Sequence, residues 1–401
     1  MVAIMAGVVS LVAPFAVRPL LERRQVIDTP TERSSHSTPT VRGGGLATLL
    51  GFVVGGCLAG ALLPDSAPIW AIVTVASGAA LVGLIEDVRG LSVITRSALQ
   101  LALGGVGAVS LAVIFDADWW LATLLALFIA AYVNIANFMD GVDGISGLHG
   151  VVVGTAFGVY GGILGLPWLT SIGAITACVF AAFLPWNLAR RKMFLGDVGS
   201  YLLGASISLA AVAAVFAGAS AIAVLAPLAV YLADTLVTIA RRAARGEAIL
   251  RPHRSHTYQR LTDTGLSHMT VSTLVAGFTA VTALAGGAVA AGFIGPWVGA
   301  ACVAAVVLLY LALPRLRGNR LPARPEPPAA PETLVRPAAA PFAPTKWVVI
   351  GGSGFVGSAV VRQLRARGAE VSVSPAPRLA FPHEVSRGNA VSATAQRDPH
   401  V

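Results

Sequence analysis

The sequence predicts an all-α protein that crosses a membrane about eleven times, and three observations predict it. Of its 401 residues, 56% are hydrophobic and only 12% charged, with a mean hydropathy of +0.77. Apolar runs of about 20 residues, the length a helix needs to span a bilayer core, recur through the first three quarters of the chain. Between residues 21 and 313 the basic residues, finally, fall only in alternate gaps between those runs. A soluble domain of this size carries far more charge.

The first run, 2–20, has no basic residue ahead of it and ends near Arg18, so it reads as a span and not as a secretory leader. The second, 44–63, opens on Gly43-Gly44-Gly45, where a chain can approach a ligand or a neighbouring helix closely. The third, 67–85, ends at the acidic pair Glu86-Asp87. Runs at 98–115 and 119–137 follow, then 144–164 and 168–187, with the acids of residues 140–143 in the gap between. The last four are 200–217, 219–240, 270–291 and 295–313. Cys57, Cys178 and Cys302 each fall inside an apolar run, as small core residues do, and not in a disulfide or metal pattern.

Between residues 21 and 313 there are 15 Lys and Arg: four in 21–43, two in 86–97, three in 188–199 and six in 241–269. The intervening gaps hold none. The positive-inside rule therefore predicts those four loops to be cytoplasmic, with the N-terminus outside and the C-terminus inside. Glu86, Asp87, Asp140, Asp143, Asp197, His253 and His256 sort to the same side. A transporter is expected to hold such groups near the bilayer midplane; polar chemistry gathered at one face favours an enzyme. The net charge of +9 is placed as topology charge, which leaves no solvated basic face for nucleic acid.

Carboxylates at a membrane edge are costly unless a cation, a donor or water satisfies them. Asp140 and Asp143 stand one helical turn apart, and face one way, if the helix before them continues. Asn134 and Asn137, just ahead, offer amide donors and acceptors. Asp197, in Phe-Leu-Gly-Asp, stands where a helix N-cap would for the following span. Arg89 and Arg96 flank the helix start after the acidic pair, as phosphate contacts or as topology charges. His253 and His256 stand three apart, but a zinc site lacks a third ligand of the right type nearby. Asp234, inside the ninth run, is expected to pair with a buried Arg or a backbone group.

Five segments, in order, resemble one family: 28–45 (DTPTERSSHSTPTVRGGG), 83–100 (GLIEDVRGLSVITRSALQ), 134–144 (NIANFMDGVDG), 194–204 (FLGDVGSYLLG) and 251–261 (RPHRSHTYQRL). They are similar to the polyprenyl-phosphate N-acetylhexosamine-1-phosphate transferases, over about residues 1–315. The resemblance implies transfer of an N-acetylhexosamine 1-phosphate from a UDP-sugar to polyprenyl (undecaprenyl) phosphate. UMP is released, as the first step of a cell-envelope polysaccharide. It implies a multi-pass protein of the inner or plasma membrane with a cytoplasmic site, and Mg2+ (Mn2+ as its substitute) to bring several phosphates together. On this match Asp197 is the metal ligand and Phe194 lies against the uracil ring. Glu86 and Asp87 stand where the family has two aspartates, one of them a candidate base toward the lipid phosphate. Asp140 and Asp143 match positions tied to catalysis and nucleotide-sugar binding, and His253, Arg254 and His256 match a Pro-His-x-x-His segment that neutralises a diphosphate. Asn134, Asn137, Arg96 and Arg42 are the further substrate contacts. The implied partners are the UDP-N-acetylhexosamine, the polyprenyl phosphate and membrane lipid, with a homodimer compatible. The hydropathy alone also fits a transporter or flippase of lipid-linked sugars.

After the transferase domain, 1–315, a Pro/Ala-rich stretch at 316–345 reads as a linker. Residues 346–374 carry Gly351, Gly354 and Gly357, the GxxGxxG spacing of extended short-chain dehydrogenases and epimerases. That stretch is too short for a doubly wound domain, and with Tyr310 the last tyrosine the family's Tyr-x-x-x-Lys is missing. It reads as a partial Rossmann-like fragment, and 375–401 as a disordered tail.

Overall fold

In the computed structural model, residues 1–28, 39–189, 192–247, 254–318, 346–350, 361, 364–365 and 370–374 are described. The chain forms two units, Met1–Pro322 and Ala323–Val401.

Eleven helical segments of the first unit are long and apolar enough to cross a membrane, one for each run in the sequence. The first, α1 (Val2–Val12) and α2 (Pro14–Arg23), is divided where Pro14 enters, since proline lacks the N–H that would continue the ladder. A two-stranded antiparallel ribbon, β1 (Ile27–Asp28) with β2 (Thr40–Val41), precedes α3 (Gly45–Leu62) and α4 (Ala67–Arg89). α5 (Val93–Phe115) begins five residues before the apolar run because Ser92 caps it, its Oγ accepting from Thr95 N–H at 3.1 Å. Then come α6 (Trp119–Met139), α7 (Ile145–Leu164), α8 (Pro167–Leu188) and α9 (Gly196–Phe216). Pro227 splits the ninth span into α10 (Ala221–Leu225), a 3-10 turn and α11 (Ala229–Ala244). A short helix, α12 (Thr257–Asp263), precedes α13 (His268–Ala290) and α14 (Pro296–Leu316).

The core is built around α9, whose apolar window is 94% buried; that of α14 is 11% buried. α9 reads Gly-Asp-Val-Gly-Ser-Tyr-Leu-Leu-Gly-Ala-Ser, and small side chains let neighbouring backbones come close, the main attraction between helices in lipid. A Cβ on Gly45 would stand 2.3 Å from the Gly199 Cα, and one on Gly83 2.3 Å from the Asp197 carbonyl oxygen. α3 and α4 are thereby seated directly on the start of α9.

In the second unit, β3 (Lys346–Ile350) pairs in parallel with β4 (Glu370–Ser374). Gly351, Gly354 and Gly357, most of the Pro/Ala stretch and residues 375–401 lie outside the described residues.

Candidate active site

The site is assembled where the ends of α4, α6 and α8 meet the starts of α7, α9 and α13. Residues 193–195 are the hinge of the assembly. Met193 bridges Val41 in parallel, Phe194 N–H donates to Val41 O at 2.8 Å, and Gly44 and Gly45 N–H donate to the carbonyls of Phe194 and Leu195 at 2.8 Å. The next residue, Gly196, has φ +73°, and a Cβ there would lie 2.6 Å from Asp87 Oδ2. Only glycine takes that turn at that distance.

The turn delivers Asp197 into the first helical turn of α9, so it is not the cap of that helix. Asp87, reaching over from α4, satisfies the helix end: the N–H groups of Asp197 and Val198 donate to its Oδ1 and Oδ2, each at 3.0 Å. A carboxylate there complements the positive end of the helix. Arg42 ties both acids together, with Nε 2.6 Å from Asp87 Oδ1 and Nη2 2.7 Å from Asp197 Oδ1. Burial alone would lower the Arg42 pKa, but Asp197 and Asp87 outweigh it and hold the guanidinium above its ordinary value. Asn137 Nδ2, from the last turn of α6, also donates to Asp197 Oδ1, at 2.8 Å. Among the described residues, nothing donates to Asp197 Oδ2.

α6 stops at Met139, and Asp140–Gly144 form a turn with Gly144 at φ +83°. Asp140 and Asp143 therefore do not share a helix face; the turn, not a continued helix, brings both into one cleft. Burial first, then the charges of Asp197 and Asp87, push the Asp140 pKa up to about 7, against the pull of Arg42. Asp143 is lowered: its own desolvation is outweighed by His268 and Lys192, which stand 3.3 and 2.7 Å from Oδ2. The Lys192 ammonium also lies 5.3 Å from the centre of the Phe194 ring. Asn187 clasps the turn from α8, accepting from Gly144 N–H at 2.7 Å and donating to Met193 O at 3.0 Å.

The resulting cleft has a volume of about 300 Å³. Of the residues singled out in the sequence, Arg42, Asn137, Asp140, Asp143, Phe194, Asp197 and Arg254 line it. Others do not. Asp87 is buried behind it, with its carboxylate occupied by the contacts above. Glu86, Arg96 and Asn134 form a separate polar patch: Arg96 Nη1 is 3.4 Å from Glu86 Oε1, and Asn134 donates to Gln100. His256 turns away, its Nδ1 3.4 Å from Asp234 Oδ1. His253 lies outside the described residues.

Asp28, Asn187, Gln259 and Thr262 line the cleft as well, and Lys192 and His268 set the charge of Asp143. None of the six stood out in the sequence as a site residue. Lys192 carried the one usable signal, a cation two residues before Phe194; the others come from segments whose spacing carries no pattern.

No group of three His, Cys, Asp or Glu side chains that could hold a metal ion occurs among the described residues. The open Asp197 Oδ2, with Asp140 in the same cleft, instead suits a cation that takes one or two carboxylates and completes its shell with water and phosphate oxygens. Mg2+ does this; a structural zinc does not.

A family model described as glycosyl transferase family 4 matches residues 69–215. The chain is 29% identical over 323 residues to a decaprenyl-phosphate N-acetylglucosaminephosphotransferase of Mycobacterium tuberculosis (strain CDC 1551 / Oshkosh), covering 69% of this chain and 78% of that one. It is 29% identical over 368 residues to the protein of the same name from Mycolicibacterium smegmatis, covering 79% and 88%. It is also 29% identical over 240 residues to a phospho-N-acetylmuramoyl-pentapeptide-transferase of Moorella thermoacetica, covering 52% and 73%.

Proposed function

This chain belongs to glycosyl transferase family 4, and from that premise we propose that it transfers an N-acetylhexosamine 1-phosphate from a UDP-sugar to a polyprenyl phosphate, releasing UMP. The observation that carries the reading is the cleft itself. Four carboxylates and two guanidinium groups converge beside Phe194, at the ends of the spans and not at their middle. A pocket meant for a diphosphate needs that mixture: cations to meet phosphate oxygens, and carboxylates to hold a dication among them. A transporter or flippase has less support, because a substrate crossing the bilayer needs polar groups along its path.

In this reading Asp197, through Oδ2, and Asp140 hold Mg2+, with Mn2+ able to replace it. When bound, the ion offsets the charge that gathers on the diphosphate as UMP departs. Arg42 fixes the Asp197 carboxylate, and Arg254, which lines the same cleft, would meet the phosphates. Phe194 offers a face on which uracil stacks, and Asn137 orients Asp197 from the side. The phosphate monoester of the lipid is mostly ionised at neutral pH, so it attacks without needing a strong base. The basic loops at this end of the bundle support a cytoplasmic site, and the product would begin a cell-envelope polysaccharide.

The test is a membrane assay of the full chain with a panel of UDP-N-acetylhexosamines and a polyprenyl phosphate, following UMP and lipid product. UMP release that requires both substrates and a divalent cation is expected. No UMP from any member of the panel, with the protein inserted, overturns the reading.

A further inference from the structure

We propose that Asp234, inside the ninth span, is a positioning residue for the transfer reaction: it seats α12 against the acidic turn and so sets where Arg254 stands in the cleft. The inference rests on the functional reading above and names a residue that does not touch the substrate.

Asp234 is fully buried, and among the described residues no lysine or arginine pairs with it; its ion-pair neighbour is His256, with Nδ1 3.4 Å from Oδ1. A carboxylate left so inside a bundle is costly unless several donors converge on it. Here they do. Thr257 N–H donates to Oδ1 at 2.7 Å and Tyr258 N–H to Oδ2 at 3.2 Å, the two amides that open α12. The Tyr310 hydroxyl, from the last span, donates to Oδ2 at 2.6 Å. One carboxylate thus joins α11, α12 and α14.

α12 has seven residues, too few to hold a helix unaided. Its second attachment reaches the site. The buried Tyr258 donates its hydroxyl to Phe138 O at 3.0 Å, two residues before Asp140. Gly141 keeps that seat open, since a Cβ there would meet the same hydroxyl at 2.1 Å. α12 in turn carries cleft wall: Gln259 and Thr262 line it, and Arg254 Nη2 is held at 3.3 Å by both Thr262 Oγ1 and Asp263 Oδ1. Releasing α12 from Asp234 therefore releases Arg254.

The test uses the full chain in membranes, with Asp234→Ala, Asp234→Asn and Tyr310→Phe made alone and combined with Arg254→Ala. UMP release is measured across donor and lipid concentrations. Asp234→Ala is expected to lower turnover about 100-fold, the scale of a misplacement of about 1 Å. Asp234→Asn, which keeps one acceptor oxygen, should lose less, and Tyr310→Phe about 3- to 10-fold. In the Arg254→Ala background each should cost under about 3-fold, because the group being positioned is already gone. Hydrogen exchange should quicken at the Thr257 and Tyr258 amides and stay unchanged in α9. Losses that simply multiply in the double variants, or faster exchange spread through α9, would show general destabilisation and overturn the proposal. If Asp234→Ala does not accumulate, the Tyr310→Phe cycle decides by the same criterion. A wild-type chain that releases no UMP fails the functional reading; an active wild type with multiplicative cycles fails only this inference.

Discussion

Gly83→Ala tests whether the seating of α4 on α9 sets the position of Asp197. The added Cβ would stand 2.3 Å from the Asp197 carbonyl oxygen, 2.4 Å from its carbonyl carbon and 2.7 Å from Val198 N. Ordinary contact begins near 3.4 Å, so the two helices must part by about 1 Å. All three clashing atoms are backbone, and no side chain can swing aside to absorb the shift. Overpacking of this kind costs about 1–3 kcal/mol. The same movement pulls Asp87 off the Asp197 and Val198 amides, whose bonds are at 3.0 Å and tolerate little stretch. An offset of about 1 Å at reacting groups lowers rates by about 100-fold. The assay is the initial rate of UMP release at saturating lipid phosphate, with thermal melting of the purified protein beside it. Gly105→Ala, where the new methyl meets nothing within 4 Å, is the control and should leave both unchanged. A Gly83→Ala protein within two-fold of wild type would refute the idea that this contact sets the site.

Asp87→Asn replaces one oxygen with a donor where two backbone amides and Arg42 already donate. Turnover should fall by about 100-fold at every pH, with the shape of the pH profile kept; loss of one limb of that profile would make Asp87 a base instead. Asp140, with its pKa pushed up to about 7, links pH to both stability and function. Its protonated form is the one that favours folding, so that contribution is complete below the ordinary carboxylate range and fades as pH rises through about 7. The melting temperature should drop across that limb while divalent-cation affinity rises; Asp140→Asn should flatten both curves, and an unchanged pair of curves would detach Asp140 from them. His268→Ala leaves Lys192 at 2.7 Å from Asp143. Partly exposed pairs of this kind contribute about 0–1 kcal/mol, so donor KM should change less than about five-fold; a larger change would give His268 a direct substrate contact. Asp197→Asn should abolish transfer with the protein still inserted in the membrane, and near-normal turnover with the cation still required would remove Asp197 from the site.

The spans were legible because a bilayer demands length and apolarity of each one separately, so each of the eleven runs reports itself. The carboxylates were legible for a related reason: acids at span ends are rare enough to be noticed singly. Their division of labour was not legible. Glu86 and Asp87 are adjacent in sequence, yet neighbouring residues on a helix point to different sides, and one joins Arg96 while the other caps α9. Asp140 and Asp143 are three apart in either a helix or a turn, and only the positive φ of Gly144 decides between them. Asp197 lies inside its helix because a distant residue, Asp87, satisfies the amides that a local cap would otherwise serve. Spacing describes one element at a time; these pairings are made between elements.

Charge balance explains why the cleft is stable before any ligand arrives. Asp87 and Asp197 share one guanidinium, Arg42, and Asp143 is matched by Lys192. Asp140 has no cation of its own within ion-pair distance among the described residues, and it stands near two carboxylates that already share a single positive charge. Burial first, with those carboxylate charges added, pushes the Asp140 pKa up to about 7. In the proposed reading, Asp140 and Asp197 would hold a divalent ion, and binding it would require the Asp140 carboxyl to give up its proton. The crowding that disfavours four ionised acids together would, in that reading, favour a divalent ion among them.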